Sequence, residues 1–260
     1  MTTLADAILE TSRLMGVVRR GKATGGSATT CVDTARYEKD DYYNGGTLMM
    51  LSGDSEGKTR RITDFVQSTG TITTDTFTTV NAAGDIYAVT LMNREFVVQA
   101  INMALADMGP YTKTDDSLVV VNNYTEYTLP SGVSNVRRIE VAKSASAPYD
   151  YVKLGSWKEI NGKIYLPEEL DYTAGRTIRL YYNESHDDVE DDTDVINDLY
   201  NRKRLACTAA YLGLAQRQMY TGNEDAKEQG ILTYLLSQSR RLAMAYPVPK
   251  LERDTNKASY

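Results

Sequence analysis

A chain of 260 residues can bury a full core, in one large domain or two modest ones. Its 42% hydrophobic and 25% charged residues match globular averages and exclude wholesale disorder and fibrous repeats. A net charge of −6 argues against a protein whose main task is gripping phosphates, and no apolar run approaches the roughly 20 residues that span a bilayer.

The chain opens on a predicted short helix, with Thr3 as its cap and Asp6 at the third helical position, a capping-box arrangement. Leu4, Ile8 and Met15 share a face, and Gly16 is the expected stop. Because Asp6 and Glu10 interrupt this segment and no cationic start precedes it, it does not read as a signal peptide. From Val17 to Leu91 the text becomes rich in Gly, Thr, Ser and Asp, and short β-prone runs alternate with turn clusters. Strands are expected at Thr47–Ser52, Lys58–Thr63, Thr71–Thr74, Phe77–Val80 and Ile86–Leu91, which implies a small all-β barrel or sandwich.

At Asn93, a good N-cap, the period turns helical: Val97, Ile101, Leu105 and Met108 share a face, and Gly109-Pro110 ends the helix. Residues 118–182 are β-prone again. Val119–Val121 and Tyr124–Leu129 flank Asn122-Asn123, and Trp157–Ile160 and Lys163–Leu166 flank Asn161-Gly162, a type I′ hairpin signal. Thr177–Tyr182 alternates as a half-buried strand. Two long helices are then predicted, Thr193–Tyr220 and Asn223–Ala245. Their apolar stripes and the short Thr221-Gly222 connection imply antiparallel packing, with Ala206, Ala209, Ala210 and Gly213 allowing close approach. Pro247-Val248-Pro249 forces an extended start to a polar terminal arm.

The expected fold class is therefore α+β. A helical bundle, made of one mid-chain helix and the long C-terminal antiparallel pair, stands with a β-region, and the small all-β module lies near the N-terminus. The expected division is 1–16, an N-terminal helix; 17–92, the β-module; 93–246, an α+β domain; and 247–260, an extended tail.

Little in the chain looks catalytic, and neither an enzyme nor a cofactor is expected. The one histidine, His186, reads as an exposed loop residue. Gly53-Asp54-Ser55-Glu56-Gly57-Lys58-Thr59 imitates a phosphate loop, but it is one residue short between the glycines, carries two acids and precedes no helix. The run Asp187-Asp188-Val189-Glu190-Asp191-Asp192-Thr193-Asp194 lacks the spaced ligands and central glycine of a calcium loop, so no metal site is expected. Its simpler reading is a solvated loop capping the next helix at Asp191, Asp192 or Thr193. Arg202-Lys203-Arg204 and Arg240-Arg241 lie on helices with apolar stripes and read as solvated or salt-bridged faces. Cys31 and Cys207 suggest no disulfide framework and fit a protein folded in a reducing cytoplasm. The 19 tyrosines, against 3 Phe and 1 Trp, suit either subunit interfaces or the wet faces of a β-rich protein.

Local wording carries a further signal. Asn93-Arg94-Glu95-Phe96-Val97-Val98 is followed by Tyr127-Thr128-Leu129-Pro130, Val136-Arg137-Arg138-Ile139 and Leu180-Tyr181-Tyr182, then by the acidic loop, the Ala-rich helix pair and the extended tail. In this order of elements, residues 93–260 resemble the head-to-tail adaptor (connector) family of tailed bacteriophages. Residues 21–91 resemble a β-module seen in phage virion proteins, through Gly25-Gly26-Ser27, Asp40-Asp41-Tyr42-Tyr43-Asn44-Gly45-Gly46, Arg61-Ile62-Thr63-Asp64, Gly70-Thr71-Ile72-Thr73 and Ala83-Gly84-Asp85. An inserted module of this kind departs from a minimal adaptor.

The resemblance implies a structural virion protein of the neck, made in the host cytoplasm. It would form a dodecameric ring with its own copies beneath the portal protein, and the ring would extend the DNA channel and offer a docking surface to the next neck or tail component. DNA would pass without specific binding, and no membrane is involved. The implied portal-binding tail is Pro247, Val248, Pro249, Lys250, Leu251 and onward to Tyr260, with Leu251 as apolar anchor. In a ring, Asp187, Asp188, Glu190, Asp191, Asp192 and Asp194 become a candidate channel-facing acidic loop that repels DNA and keeps it mobile. The alternatives are another neck, tail-completion or decoration protein, and, less favoured, a carbohydrate-binding module.

Overall fold

The computed structural model describes residues 2–16, 18–122, 124–146, 150–167, 174–221, 226–249 and 251. Chain contacts divide it into two compact units, Met1–Met108 with His186–Val248, and Gly109–Ser185 with Pro249–Tyr260.

The first unit begins with β1 (Thr2–Thr3) and α1 (Leu4–Met15). The Thr3–Asp6 capping box is present in both directions, and Leu4, Ile8 and Met15 are buried. Seven strands follow or lie between turns: β2 (Val18–Lys22), β3 (Gly25–Gly26), β4 (Thr30–Val32), β5 (Thr47–Met50), β6 (Thr59–Val66), β7 (Thr71–Thr74) and β8 (Ile86–Thr90). They form one antiparallel sheet in the order β2-β8-β5-β6-β7-β4-β3. Its two ends, β2 and β3, are separated in sequence by Ala23 and Thr24 alone. The amides of those two residues continue the ladder to Asp85 and Val32, so a single bent run closes the sheet on itself. Closure removes the exposed edges that invite aggregation. A register shift between Ile62 and Asp64 lets β6 pair β5 with its first half and β7 with its second, which turns the corner of the barrel. Cys31, Tyr43, Leu48, Ile62, Phe65, Ile72, Phe77 and Tyr87 fill the interior.

Helix α2 (Arg94–Met108) starts where Asn93 accepts hydrogen bonds from the amides of Glu95 and Phe96, and it buries the expected Val97, Ile101, Leu105 and Met108. After the second unit the chain returns through β16 (Val195–Ile196), paired with β1, into α3 (Arg202–Thr221) and α4 (Ala226–Ala245). Helix α3 packs on α1, α2 and α4. Side-chain pairs Thr208–Ser239 and Gln218–Gln229 run in opposite directions along α3 and α4, which makes this pair antiparallel. The close approach at Gly213, however, is to Met15 of α1 and Ala100 of α2, where an added Cβ would sit 2.2 and 3.1 Å from their side chains.

In the second unit, β9 (Tyr111–Val119), β11 (Val136–Ala142), β12 (Tyr151–Lys153) and β15 (Thr177–Glu184) form a sheet in the order β12-β11-β15-β9. β10 (Glu126–Thr128), β13 (Lys158–Ile160) and β14 (Lys163–Tyr165) form another, in the order β10-β14-β13. Val136, Ile139, Ile164, Ile178, Leu180 and Tyr182 share one core in a two-layer β arrangement. The Asn161-Gly162 hairpin is present, with both φ angles positive (50° and 72°). The hairpin expected around Asn122-Asn123 does not form. β10 pairs with β14, while β9 pairs with β15 in the other sheet, and Asn123 itself lies outside the described residues.

The expected fold class needs correction. The described chain is mostly β, with sixteen strands in four sheets, and it is not organised as a helical bundle; its four helices lie in the N-terminal and C-terminal parts. Long helices announce themselves by period, whereas strands of two to four residues such as β1, β3, β12 and β16 show none, so their weight was underestimated. The predicted strand Phe77–Val80 is irregular, although Phe77 is buried in the barrel core. The helix expected from Thr193 begins only at Arg202. The acidic loop does not cap it, because β16 and a turn intervene, and Asn201 accepts the capping bond from the Arg204 amide instead.

Candidate functional site

The acidic loop is folded tightly against the first unit. Buried Val189 and Asn102 of α2 exchange two hydrogen bonds, the Asn102 amide group donating to the Val189 carbonyl at 3.1 Å and accepting from its N–H at 3.0 Å. The Asp194 carboxylate accepts from the amides of Glu190 (2.8 Å) and Asp191 (2.9 Å), and these bonds hold its carboxyl below the ordinary range.

Asp192 behaves differently from its neighbours. Its side chain is only 4% exposed and meets three partners of opposite character. The Thr59 amide donates to it at 2.9 Å, Arg60 at 3.0 Å and Arg94 at 3.2 Å. The Thr59 hydroxyl donates to Asp192 and accepts from Arg94 Nε at 2.9 Å. Arg94 also donates to the Glu190 carbonyl at 2.7 Å, and the Ala5 amide donates to the Asp192 carbonyl at 3.2 Å. The carboxylate thus joins the barrel to α2, and the carbonyl of the same residue ties in the start of α1. A buried charge survives only when paired in this way.

Asp187, Asp188, Glu190 and Asp191 are exposed. Three of them, Asp188, Glu190 and Asp191, form one wall of an open groove of about 910 Å³. Its floor is the outer face of α2, with Glu95, Val98, Gln99, Asn102, Met103 and Ala106, and its far wall is the barrel, with Arg60, Arg61 and Asp75. Among the described residues no group of three or more His, Cys, Asp or Glu is placed to hold a metal ion, and no helix is long and apolar enough to cross a membrane.

The tail candidates take definite places where they are described. Pro247 is exposed and Val248 buried. Within the second unit the Pro249 carbonyl accepts from the Thr112 amide at 3.1 Å, the Leu251 amide donates to the Thr112 hydroxyl at 3.1 Å, and the Leu251 carbonyl accepts from Asn183 at 3.1 Å. This stretch is held by its backbone, and Leu251 is half-buried. Lys250 and Tyr260 lie outside the described residues.

His186 is spent on the loop itself. Nε2 accepts from the Asn197 amide at 3.2 Å, Nδ1 lies 2.7 Å from the Asp187 carbonyl, and the ring packs edge-on to Tyr200. The phosphate-loop imitation is a hairpin turn, with Gly53 and Gly57 both at positive φ and β6 following instead of a helix.

Sequence reasoning missed a buried polar network at one end of the barrel. Tyr87 donates to Asp33 at 2.6 Å and accepts from Arg36 at 2.7 Å; Tyr43 donates to Glu38 at 2.7 Å and accepts from Arg36 at 3.2 Å. Arg19 also pairs with Glu38. Burial opposes ionisation of Glu38, but the bonds from Tyr43, the backbone and Arg19 prevail and bring its carboxyl down to about 2. Gly21 makes room for it: a Cβ there would lie 2.4 Å from the Tyr87 ring. The residues are scattered from Arg19 to Tyr87, so no local pattern betrays them. Compared with known proteins, the chain matches no family model and no curated sequence.

Proposed function

We propose that this protein is a structural part of a tailed-phage neck, a head-to-tail adaptor that assembles with its own copies into a ring beneath the portal, prolongs the DNA channel and receives the next tail component. The role is architectural, without catalysis. The observation that supports it best, beside the resemblance in wording, is the outer face of α4. Tyr234 (59% exposed) and Met244 (79%) stand on it in solvent, and Ile231, Leu236 and Leu242 are only half-buried. A helix that packs on one neighbour and still presents large apolar side chains is suited to a further partner. In the ring reading, that partner is a second copy.

Electron microscopy and native mass spectrometry of the purified chain, with and without a portal ring, test this. Closed rings, alone or seated on the portal, are expected. A chain that stays monomeric and never binds a portal excludes the proposal.

A further inference from the structure

Ring closure requires two different surfaces on each copy, because only a heterologous contact repeats around an axis of more than two subunits. The geometry points to a specific pair: we propose that the groove between the acidic loop, α2 and the barrel receives the outer face of α4 from the adjacent copy. This deepens the ring reading and rests on it.

Three properties of the two surfaces agree. The first is charge. Three guanidinium groups and five carboxylates line the groove. Arg60 and Arg94 share the one buried Asp192 carboxylate and Arg61 is exposed, while Asp75, Glu95, Asp188, Glu190 and Asp191 are not neutralised by any ion pair among the described residues. With Asp192, six carboxylates stand against three guanidinium groups. The groove is therefore acidic. On α4, Arg240 and Arg241 are exposed without an ion pair, and no acid follows Glu228 along the helix.

The second is apolar content. Val98, Met103 and Ala106 give the groove floor apolar surface among Glu95, Gln99 and Asn102. Tyr234, Ser237, Arg241 and Met244 recur on α4 at steps of three and four, so two large apolar side chains flank Arg241 on one stripe, with Arg240 beside it. The third is length. Glu95 to Ala106 covers about 16 Å of α2 and Tyr234 to Met244 about 15 Å of α4, at about 1.5 Å per residue. A helix laid in a groove by spaced anchors is a recurring mode of recognition. The two surfaces belong to the same unit, so neither depends on how the second unit is placed.

A charge swap in the full-length chain tests the pair. Arg240→Glu with Arg241→Glu spoils the helix face and leaves the groove intact. Asp188→Lys with Glu190→Lys and Asp191→Lys does the reverse. Each variant alone is expected to lose the rings seen for the unaltered chain in native mass spectrometry. An equimolar mixture is expected to regain them as rings alternating in mass, since each altered surface then meets its complement. Variants that still form rings alone, or a mixture that stays dissociated, overturn the pairing while leaving the ring reading standing. An unaltered chain that forms no ring, either alone or on a portal, removes both.

Discussion

At Asp192 a single carboxylate satisfies an amide, a hydroxyl and two guanidinium groups from elements far apart in sequence. Replacing it with alanine strands two cations and a buried donor. Asp192→Ala is therefore expected to destabilise the protein by about 3 kcal/mol, the lower end for breaking a buried pair because both arginines keep partial solvent access. Urea denaturation measures it, and Asp188→Ala, exposed in the same loop, should stay within about 0.5 kcal/mol of the parent. Glu38 makes a pH-dependent contribution of definite sign. Its folded carboxyl sits at about 2, below its unfolded value, so its stabilisation is complete above the ordinary carboxylate range and is lost as pH falls from about 4.5 towards 2. Thermal unfolding followed across that window should fall less steeply in Glu38→Gln. An unchanged slope would show that the network of Arg19, Arg36 and Tyr43 does not hold this charge.

At the scale of elements, local signals worked where a cap or turn is a matter of neighbouring residues. The Thr3–Asp6 capping box, the Asn93 cap and the Asn161-Gly162 turn are all present, because each needs only three or four residues and a particular backbone angle. The start of α3 was misread because apolar residues Val195 and Leu199 happen to continue its period upstream, although both are exposed and one lies in β16. Its true cap is Asn201. Asn201→Ala is accordingly expected to lose about 1 kcal/mol, while Thr193→Ala, which caps nothing, should change stability little; equilibrium denaturation distinguishes the two.

Across the whole molecule, the chain leaves the first unit after Met108, returns to it at His186 and crosses again to the second at Pro249. The last described residues belong to that second unit through Thr112 and Asn183. Truncation after Val248 should therefore raise hydrogen exchange at the Thr112 amide and leave the amides of β5 and β8 as protected as before. Faster exchange in the barrel would contradict this division. The tyrosines divide as well. Tyr43, Tyr87 and Tyr127 are buried with bonded hydroxyls, whereas Tyr37, Tyr234 and Tyr246 stand in solvent, so composition alone could not assign them to one role.

By itself, the sequence determined the helix faces of α1 and α2, the Asn161-Gly162 turn and the barrel strands β5 to β8, since all of these follow from periodicity and backbone preference over a few residues. The tertiary structure decided that the chain is mostly β, that the sheet closes through the bent run from Val18 to Gly26, and that Asp192 leaves its exposed neighbours to become an internal clamp. The physical reason is the same in each case. Strands of two to four residues carry no readable period, and a buried charge is defined by partners such as Thr59 and Arg94, about a hundred residues or more away along the chain, which only folding brings within hydrogen-bond reach.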